Sequence, residues 1–155
     1  MADNIDRSTP PLQSLFQEVI LDHYKRPRNR GDLADATAVV HMNNPTCGDE
    51  VVLRVKLDGD TITDAKFEGT GCSISQASIS MMTQLLKGKS TADAVAAMRR
   101  FTDMMHGDAE AARDKKLGDL RSLAGVSKFA ARVKCALLGW NALEEALKEK
   151  KIPEE

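Results

Sequence analysis

The sequence predicts an α+β fold: a three-stranded antiparallel sheet with helices packed mainly on one face. Two observations predict it. Between Ala38 and Glu68, apolar residues alternate with polar ones, broken at Asn43-Asn44-Pro45 and at Asp58-Gly59-Asp60. On both sides of that stretch the apolar residues recur at three- and four-residue steps instead. One block of strands flanked by helices is the layered arrangement of an α+β domain.

The elements follow in order. Residues 1–10 are polar and are expected to form a disordered leader. Leu12, Leu15, Phe16, Val19, Ile20 and His23 share one helical face, and that helix should end before Pro27, because proline disfavours helix in the residue before it. Ala38–Met42 and Glu50–Leu57 are strands. In the second, Val51, Leu53, Val55 and Leu57 alternate with polar neighbours. Asp58-Gly59-Asp60 is a hairpin turn, and Thr61–Glu68 is the returning strand. From Ser73 the period becomes helical, with Ile74, Ala77, Ser78, Met81, Met82 and Leu85 on one face and Gly88 as the stop. A helix over Ser90–Met105 is capped by Ser90 or Thr91. Residues 108–123 carry charges of alternating sign, which predicts short helices with a solvated face. Ala130–Lys150 is a long final helix, and residues 151–155 a frayed tail.

A chain of 155 residues without a repeat or a linker is expected to be one domain over 1–155. Lys and Arg (22) nearly balance Asp and Glu (23), so nucleic-acid binding through a broad basic face is not expected. No stretch approaches the roughly 20 apolar residues of a membrane span. The chain is expected in the cytosol, where its three cysteines stay reduced.

Those cysteines carry the chemistry. Cys47 lies in Asn44-Pro45-Thr46-Cys47-Gly48-Asp49, Cys72 follows Gly69-Thr70-Gly71, and Cys135 lies on the final helix. Three thiols and the Asp49 carboxylate make a full tetrahedral set for zinc if the fold gathers them. Each position also has a plainer reading. Cys47 and Asp49, two apart in extended chain, point to one side, yet a hairpin turn with an incidental cysteine fits as well. Cys72 opens a helix, where backbone N–H groups favour a thiolate. It could equally be a small buried residue, although glycines on both sides of Thr70 count against tight packing alone. Cys135 falls outside the apolar stripe of Phe129, Val133, Ala136, Leu137, Trp140, Leu143 and Leu147. It shares a side with Gly139, Ala142 and Ala146, a strip that lets another backbone come close. Arg132, one turn earlier, can hold negative charge on sulfur at the same spot.

Other groups are read as structural. His23 is a satisfied core histidine, and His41 is an alternative to Asp49 as a ligand. His106 suits a helix end, and the pairs Met81–Met82 and Met104–Met105 fill core. The serines at 73, 75, 78 and 80 suggest no Ser–His–Asp arrangement.

Taken together, Asp22-His23-Tyr24-Lys25-Arg26-Pro27-Arg28-Asn29, the run Asn44–Asp49, the run Asp64–Ser75 and the helix around Cys135 resemble the U-type iron–sulfur cluster assembly family. The resemblance covers most of residues 12–148 and implies a SufE/NifU-like fold. Within the family the chain is similar to the SufU branch rather than the IscU scaffold branch. Scaffolds carry a histidine directly before the last cysteine, where Lys134 stands here. They also carry a Leu-Pro-Pro-Val-Lys stretch, replaced here by Lys128-Phe129-Ala130-Ala131-Arg132, and they lack the extra helical segment at about residues 100–122.

The resemblance implies a zinc-dependent sulfur acceptor that binds Zn2+ through Cys47, Asp49, Cys72 and Cys135. It implies a pyridoxal-phosphate cysteine desulfurase of the SufS type as sulfur donor and SUF cluster-assembly proteins as recipients. A histidine of the desulfurase is expected to replace one zinc ligand. Cys47 is expected to be the attacking thiolate, because it lies on a loop, with Arg132 beside it. The alternative is a scaffold holding a transient iron–sulfur cluster on the same ligands.

Overall fold

Alternating burial decides the sheet. The computed structural model describes residues 12–46 and 48–151, with the backbone alone for 12–16 and 149–151. Its strands are β1 (Ala38–Asn44), β2 (Asp49–Asp58) and β3 (Thr61–Thr70), antiparallel in the order β1–β2–β3. Ala38, Val40, Val51, Leu53, Val55, Ile62, Ala65 and Phe67 are buried on one face. Val39, His41, Glu50 and Glu68 alternate to the open face. A register shift between Lys56 and Leu57 lets Ile62 and Ala65, three apart, both turn inward. The predicted strands hold, each longer by one or two residues at an end.

The outer edge of β3 is covered rather than bare, which removes a site for unwanted strand pairing. Asn29–Gly31 lies along one half: Phe67 N–H donates to the Asn29 carbonyl at 3.0 Å, and Gly31 N–H to the Phe67 carbonyl at 2.9 Å. Residues 88–90 cover the other half, with Ile62 N–H on the Lys89 carbonyl at 2.8 Å.

The helices are α1 (Leu12–Lys25), α2 (Ser73–Leu86), α3 (Thr91–Met105), α4 (Ala109–Ala112) and α5 (Ala130–Lys151), with a 3-10 segment at Lys115–Lys128. Ser90 is the N-cap of α3, its hydroxyl accepting from Asp93 N–H at 3.0 Å. His106 caps the other end. Lys151, expected in the tail, is the last helical residue, while residues 1–11 and 152–155 lie outside the described residues. Among the described residues no helix is long and apolar enough to cross a membrane.

Three expectations need correction. The 3-10 segment is not a solvated face. The segment breaks at left-handed Gly118, and after the break Leu120, Leu123 and Val126 recur every three residues, the 3-10 period; all three are buried, as is Leu117 before it. Phe129, assigned to the apolar stripe of α5, is 62% exposed. The stripe itself is only half the packing of α5, since Leu138, Cys135, Ala142 and Ala146 are buried as well. That second face receives α2 so closely that a Cβ on Gly139 would lie 2.9 Å from the Ile79 side chain.

The third correction concerns serine. α2 is buried on nearly every side yet carries Ser75, Ser78, Ser80 and Thr83. Buried hydroxyls need partners, and they bind neighbouring elements. Ser78 donates to the Ala136 carbonyl of α5 at 2.7 Å. Ser80 Oγ lies 2.8 Å from His23 Nδ1 and accepts from Arg28 N–H at 2.8 Å. His23 Nε2 lies 2.9 Å from Asp119 Oδ2. A carboxylate only accepts, so Nε2 carries a proton and donates it to Asp119. This is a Ser–His–Asp line, but Ser80 is fully buried and His23 1% exposed, so no substrate reaches the hydroxyl. It is a clamp joining α1, α2 and the 3-10 segment, in keeping with the structural role expected for His23. The motif Asp22–Asn29 serves the same corner. Asp22 pairs with Arg26 and Arg28, and Asn29 Nδ2 donates to Thr83 at 3.2 Å.

The clamp has a pH signature. The hydrogen bond from His23 holds the Asp119 carboxyl below its usual value, against an opposing effect of burial. A lowered carboxylate pKa stabilises the fold above the unfolded value of about 4, and that contribution is lost as pH falls through the folded value. Asp119→Asn keeps an acceptor but no charge, so it should cost no more than about 1 kcal/mol at pH 7. The difference from wild type should shrink between about pH 5 and 3 in urea titrations. A difference independent of pH would contradict the assignment.

Candidate metal centre

One end of the sheet meets the start of α2 and the first turns of α5. Asn44 and Asp49 close the β1–β2 ladder. The turn between them is fixed by Asn44, whose side-chain Oδ1 accepts from Thr46 N–H at 3.1 Å and whose carbonyl accepts from Gly48 N–H at 2.9 Å. Gly48 adopts φ +71, a left-handed conformation suited to glycine. Cys47, expected both as ligand and as sulfur acceptor, lies outside the described residues.

Asp49 is 1% exposed on the core face of β2. A buried carboxylate needs donors. Its Oδ1 accepts from the backbone N–H of Cys72 at 2.8 Å, and its Oδ2 lies 3.6 Å from Cys72 Sγ. Gly71 makes this approach possible: at φ +148, a Cβ there would sit 2.2 Å from Asp49 Oδ1. A Cβ on Gly69 would sit 2.2 Å from the Glu50 carbonyl. Close packing therefore demands both glycines, contrary to the expectation from the sequence, where the Gly-Thr-Gly run was the visible signal.

Cys72 is the N-cap of α2, in extended conformation and half-buried. The free N–H groups of the helix's first turn favour negative charge there. Cys135 is fully buried, and its thiol donates to the Ala131 carbonyl at 3.6 Å. It lies in the core, as a plain packing cysteine would, but turned toward Asp49 and Cys72. Ligand atoms of Asp49, Cys72 and Cys135 all lie within 4.8 Å of one another. Exposed Arg132 completes the group. The charge of Cys72, then hydrogen bonding to Cys135 and Cys72, holds its guanidinium above its ordinary, already high pKa.

The donor set fits a small tetrahedral cation. Zinc–sulfur bonds of about 2.3 Å and zinc–oxygen bonds of about 2.0 Å place S and O roughly 3.5 Å apart in a tetrahedron. The Cys72–Asp49 separation of 3.6 Å matches that edge. His41 does not contribute. It is exposed on the open face of the sheet, where its Nε2 pairs with Glu50.

Known proteins resemble this chain over most of its length. Residues 15–136 match the family model described as the NifU-like N-terminal domain. The chain is 57% identical over 136 residues to the zinc-dependent sulfurtransferase SufU of Bacillus subtilis, covering 88% of this chain and 91% of that one. It is 49% identical over 137 residues to the iron–sulfur cluster assembly scaffold protein IscU of Streptococcus pyogenes, covering 88% and 85%. Among solved structures it resembles a candidate iron–sulfur cluster assembly scaffold for the SUF system from Fervidobacterium islandicum. There the TM-score is 0.77 at 38% identity, covering 88% of this chain and 99% of that one. A NifU-like N-terminal domain from Brucella abortus shares the fold, with TM-score 0.78 at 24% identity and coverage of 88% and 94%.

The geometry at Gly71 is testable. Gly71→Ala should cost about 2 kcal/mol, because the new methyl must displace the carboxylate or the backbone. Affinity for zinc, measured by competition with a chromophoric chelator, should fall more than about tenfold, the loss expected of a disturbed ligand shell. Wild-type affinity in the variant would overturn this account of the site.

Proposed function

The chain belongs to the NifU-like N-terminal domain family, and we propose on that footing that it is a zinc-dependent sulfur-transfer protein of iron–sulfur cluster assembly. In this reading it takes persulfide sulfur from a pyridoxal-phosphate cysteine desulfurase of the SufS type and passes it to SUF assembly proteins in the cytosol. The observation that carries the reading is the meeting of the Asp49, Cys72 and Cys135 donors within 4.8 Å, under the Arg132 guanidinium. The Bacillus subtilis relative, named a zinc-dependent sulfurtransferase, supports the same choice.

The proposed ligands are Cys47, Asp49, Cys72 and Cys135. Bound zinc would keep the thiols deprotonated without oxidising them. Four negative ligands on a divalent cation leave a formal charge near −2, which Arg132 is placed to offset. Asp49 is held by the Cys72 N–H and by the cradle of Gly71. The proposed acceptor is Cys47. Its thiolate attacks the outer sulfur of the donor persulfide. A new S–S bond forms to Cys47, the donor's S–S bond breaks, and the donor cysteine leaves as thiolate. Arg132 would hold the negative charge while it moves between sulfurs.

The scaffold reading has its own support, because the Streptococcus pyogenes relative is named a scaffold. Lys134, standing where the scaffold pattern has histidine, favours transfer. A scaffold would turn coloured after loading with iron and sulfide, whereas a zinc transfer protein stays colourless.

The test is desulfurase turnover. Wild-type protein with about one zinc per chain should stimulate it, and Cys47→Ala should abolish the stimulation. Arg132→Ala should cut it about tenfold, the worth of one charge-assisted hydrogen bond. Removing zinc with a chelator should also lower the melting temperature, because the metal ties the start of β2 and the start of α2 to α5. A folded wild type that leaves turnover unchanged sinks the proposal.

A further inference from the structure

Beside the metal centre runs a groove of about 670 Å³, formed by α1, the start of α2, the 3-10 segment and the start of α5. Cys72 is among the residues that line it. Ile20, Ile74, Val126 and Phe129 supply apolar wall, and Lys128 and Arg132 supply cationic lining, with Arg132 beside the thiols of Cys72 and Cys135. Two of its lining residues make poor sense for this chain alone.

The first is Phe129. Its carbonyl accepts the opening hydrogen bonds of α5, from Arg132 N–H at 2.8 Å and Val133 N–H at 3.1 Å, so it occupies the N-cap. Ser, Thr, Asp or Asn there would bind a free N–H, and their absence costs about 1 kcal/mol. This chain has only six aromatic residues, yet it leaves this one 62% exposed at a cap. The second is Gly125. A Cβ there would meet nothing within 4 Å, and its φ is not left-handed. Neither space nor backbone demands glycine, which in a helical segment costs about 1 kcal/mol against Ala. A side chain would, however, fill the groove. Both residues lower the protein's own stability and keep an apolar channel open, which is the pattern of a site shaped for another molecule.

We infer that this groove is the docking track for a loop of the cysteine desulfurase, a peptide with apolar flanks whose tip carries the persulfide. The inference rests on the function proposed above and adds the surface and the direction of approach. Apolar flanks match Phe129, Ile20, Ile74 and Val126. The anionic tip matches Lys128 and Arg132, and continuity of the groove with Cys72 brings that tip to the metal centre. Among the described residues the other exposed large apolar side chains are Leu21, Tyr24 and Val39. Val39 lies on the open face of the sheet, apart from the thiols.

The experiment uses the full zinc-loaded chain and a SufS-type desulfurase, with affinity measured by calorimetry and stimulation by turnover. Gly125→Leu fills the groove and Phe129→Ser removes the anchor while restoring a capping hydroxyl. Both should fold, keep their zinc and melt at or above the wild-type temperature. Each should weaken binding at least tenfold, with stimulation at low concentration falling in parallel. Val39→Ser should bind as wild type. If wild type stimulates and both groove variants bind as tightly, the track is elsewhere while the function stands. If wild type neither binds nor stimulates, both the function and the track fail. If wild type is a dimer that Phe129→Ser or Gly125→Leu splits, the groove is a self-interface, and the inference is overturned.

Discussion

The candidate metal centre depends on one close approach, that of the Asp49 carboxylate to the backbone at Gly71 and Cys72. A carboxylate 1% exposed is costly unless it is satisfied. Here the Cys72 N–H satisfies one oxygen, and the other faces the Cys72 sulfur. The same contact fixes the end of β2 against the start of α2, so a strand residue and a helix cap become neighbours across 23 positions of sequence. α5 then needs only to lie flat on α2 for Cys135 to arrive. The close pass of Gly139 over Ile79 and the Ser78–Ala136 hydrogen bond let it do so.

Much of this was legible in the sequence, because the signals are local. Alternation named the buried face of the sheet, and Ser90 announced its cap. The strip of Cys135, Gly139, Ala142 and Ala146 announced a close neighbour. What escaped was what a local pattern cannot express. The charges at 113–121 hid a three-residue leucine period, which an α-helical spacing does not express. A single stripe could not describe α5, which packs on the sheet with one side and on α2 with another. Nor could spacing reveal that Ser80, His23 and Asp119 stand in line, because three elements supply them.

That line separates structural from chemical polarity in this fold. Ser80, His23 and Asp119 have a geometry that would suit nucleophilic catalysis, but the hydroxyl is sealed inside and already engaged by Arg28 N–H. The thiols present the opposite case. Cys72 is half-buried in the lining of a groove, next to an exposed guanidinium. Access to a partner, more than the identity of the polar groups, distinguishes the two clusters.

Rigidity bears on the roles proposed for the sulfurs. Cys135 is fixed in the second turn of a helix buried on two faces, and Cys72 is fixed as a cap whose N–H is engaged by Asp49. Moving either sulfur by the several ångströms that delivery to another protein requires would unwind a helix or empty a buried position. The β1–β2 turn carries no such load. It is held by two hydrogen bonds to Asn44 and by the left-handed Gly48, with no core side chain between Pro45 and Gly48 among the described residues. None of the described residues Pro45, Thr46 and Gly48 of this turn is buried. This supports the proposal that Cys47 carries the cargo while Cys72 and Cys135 hold the frame.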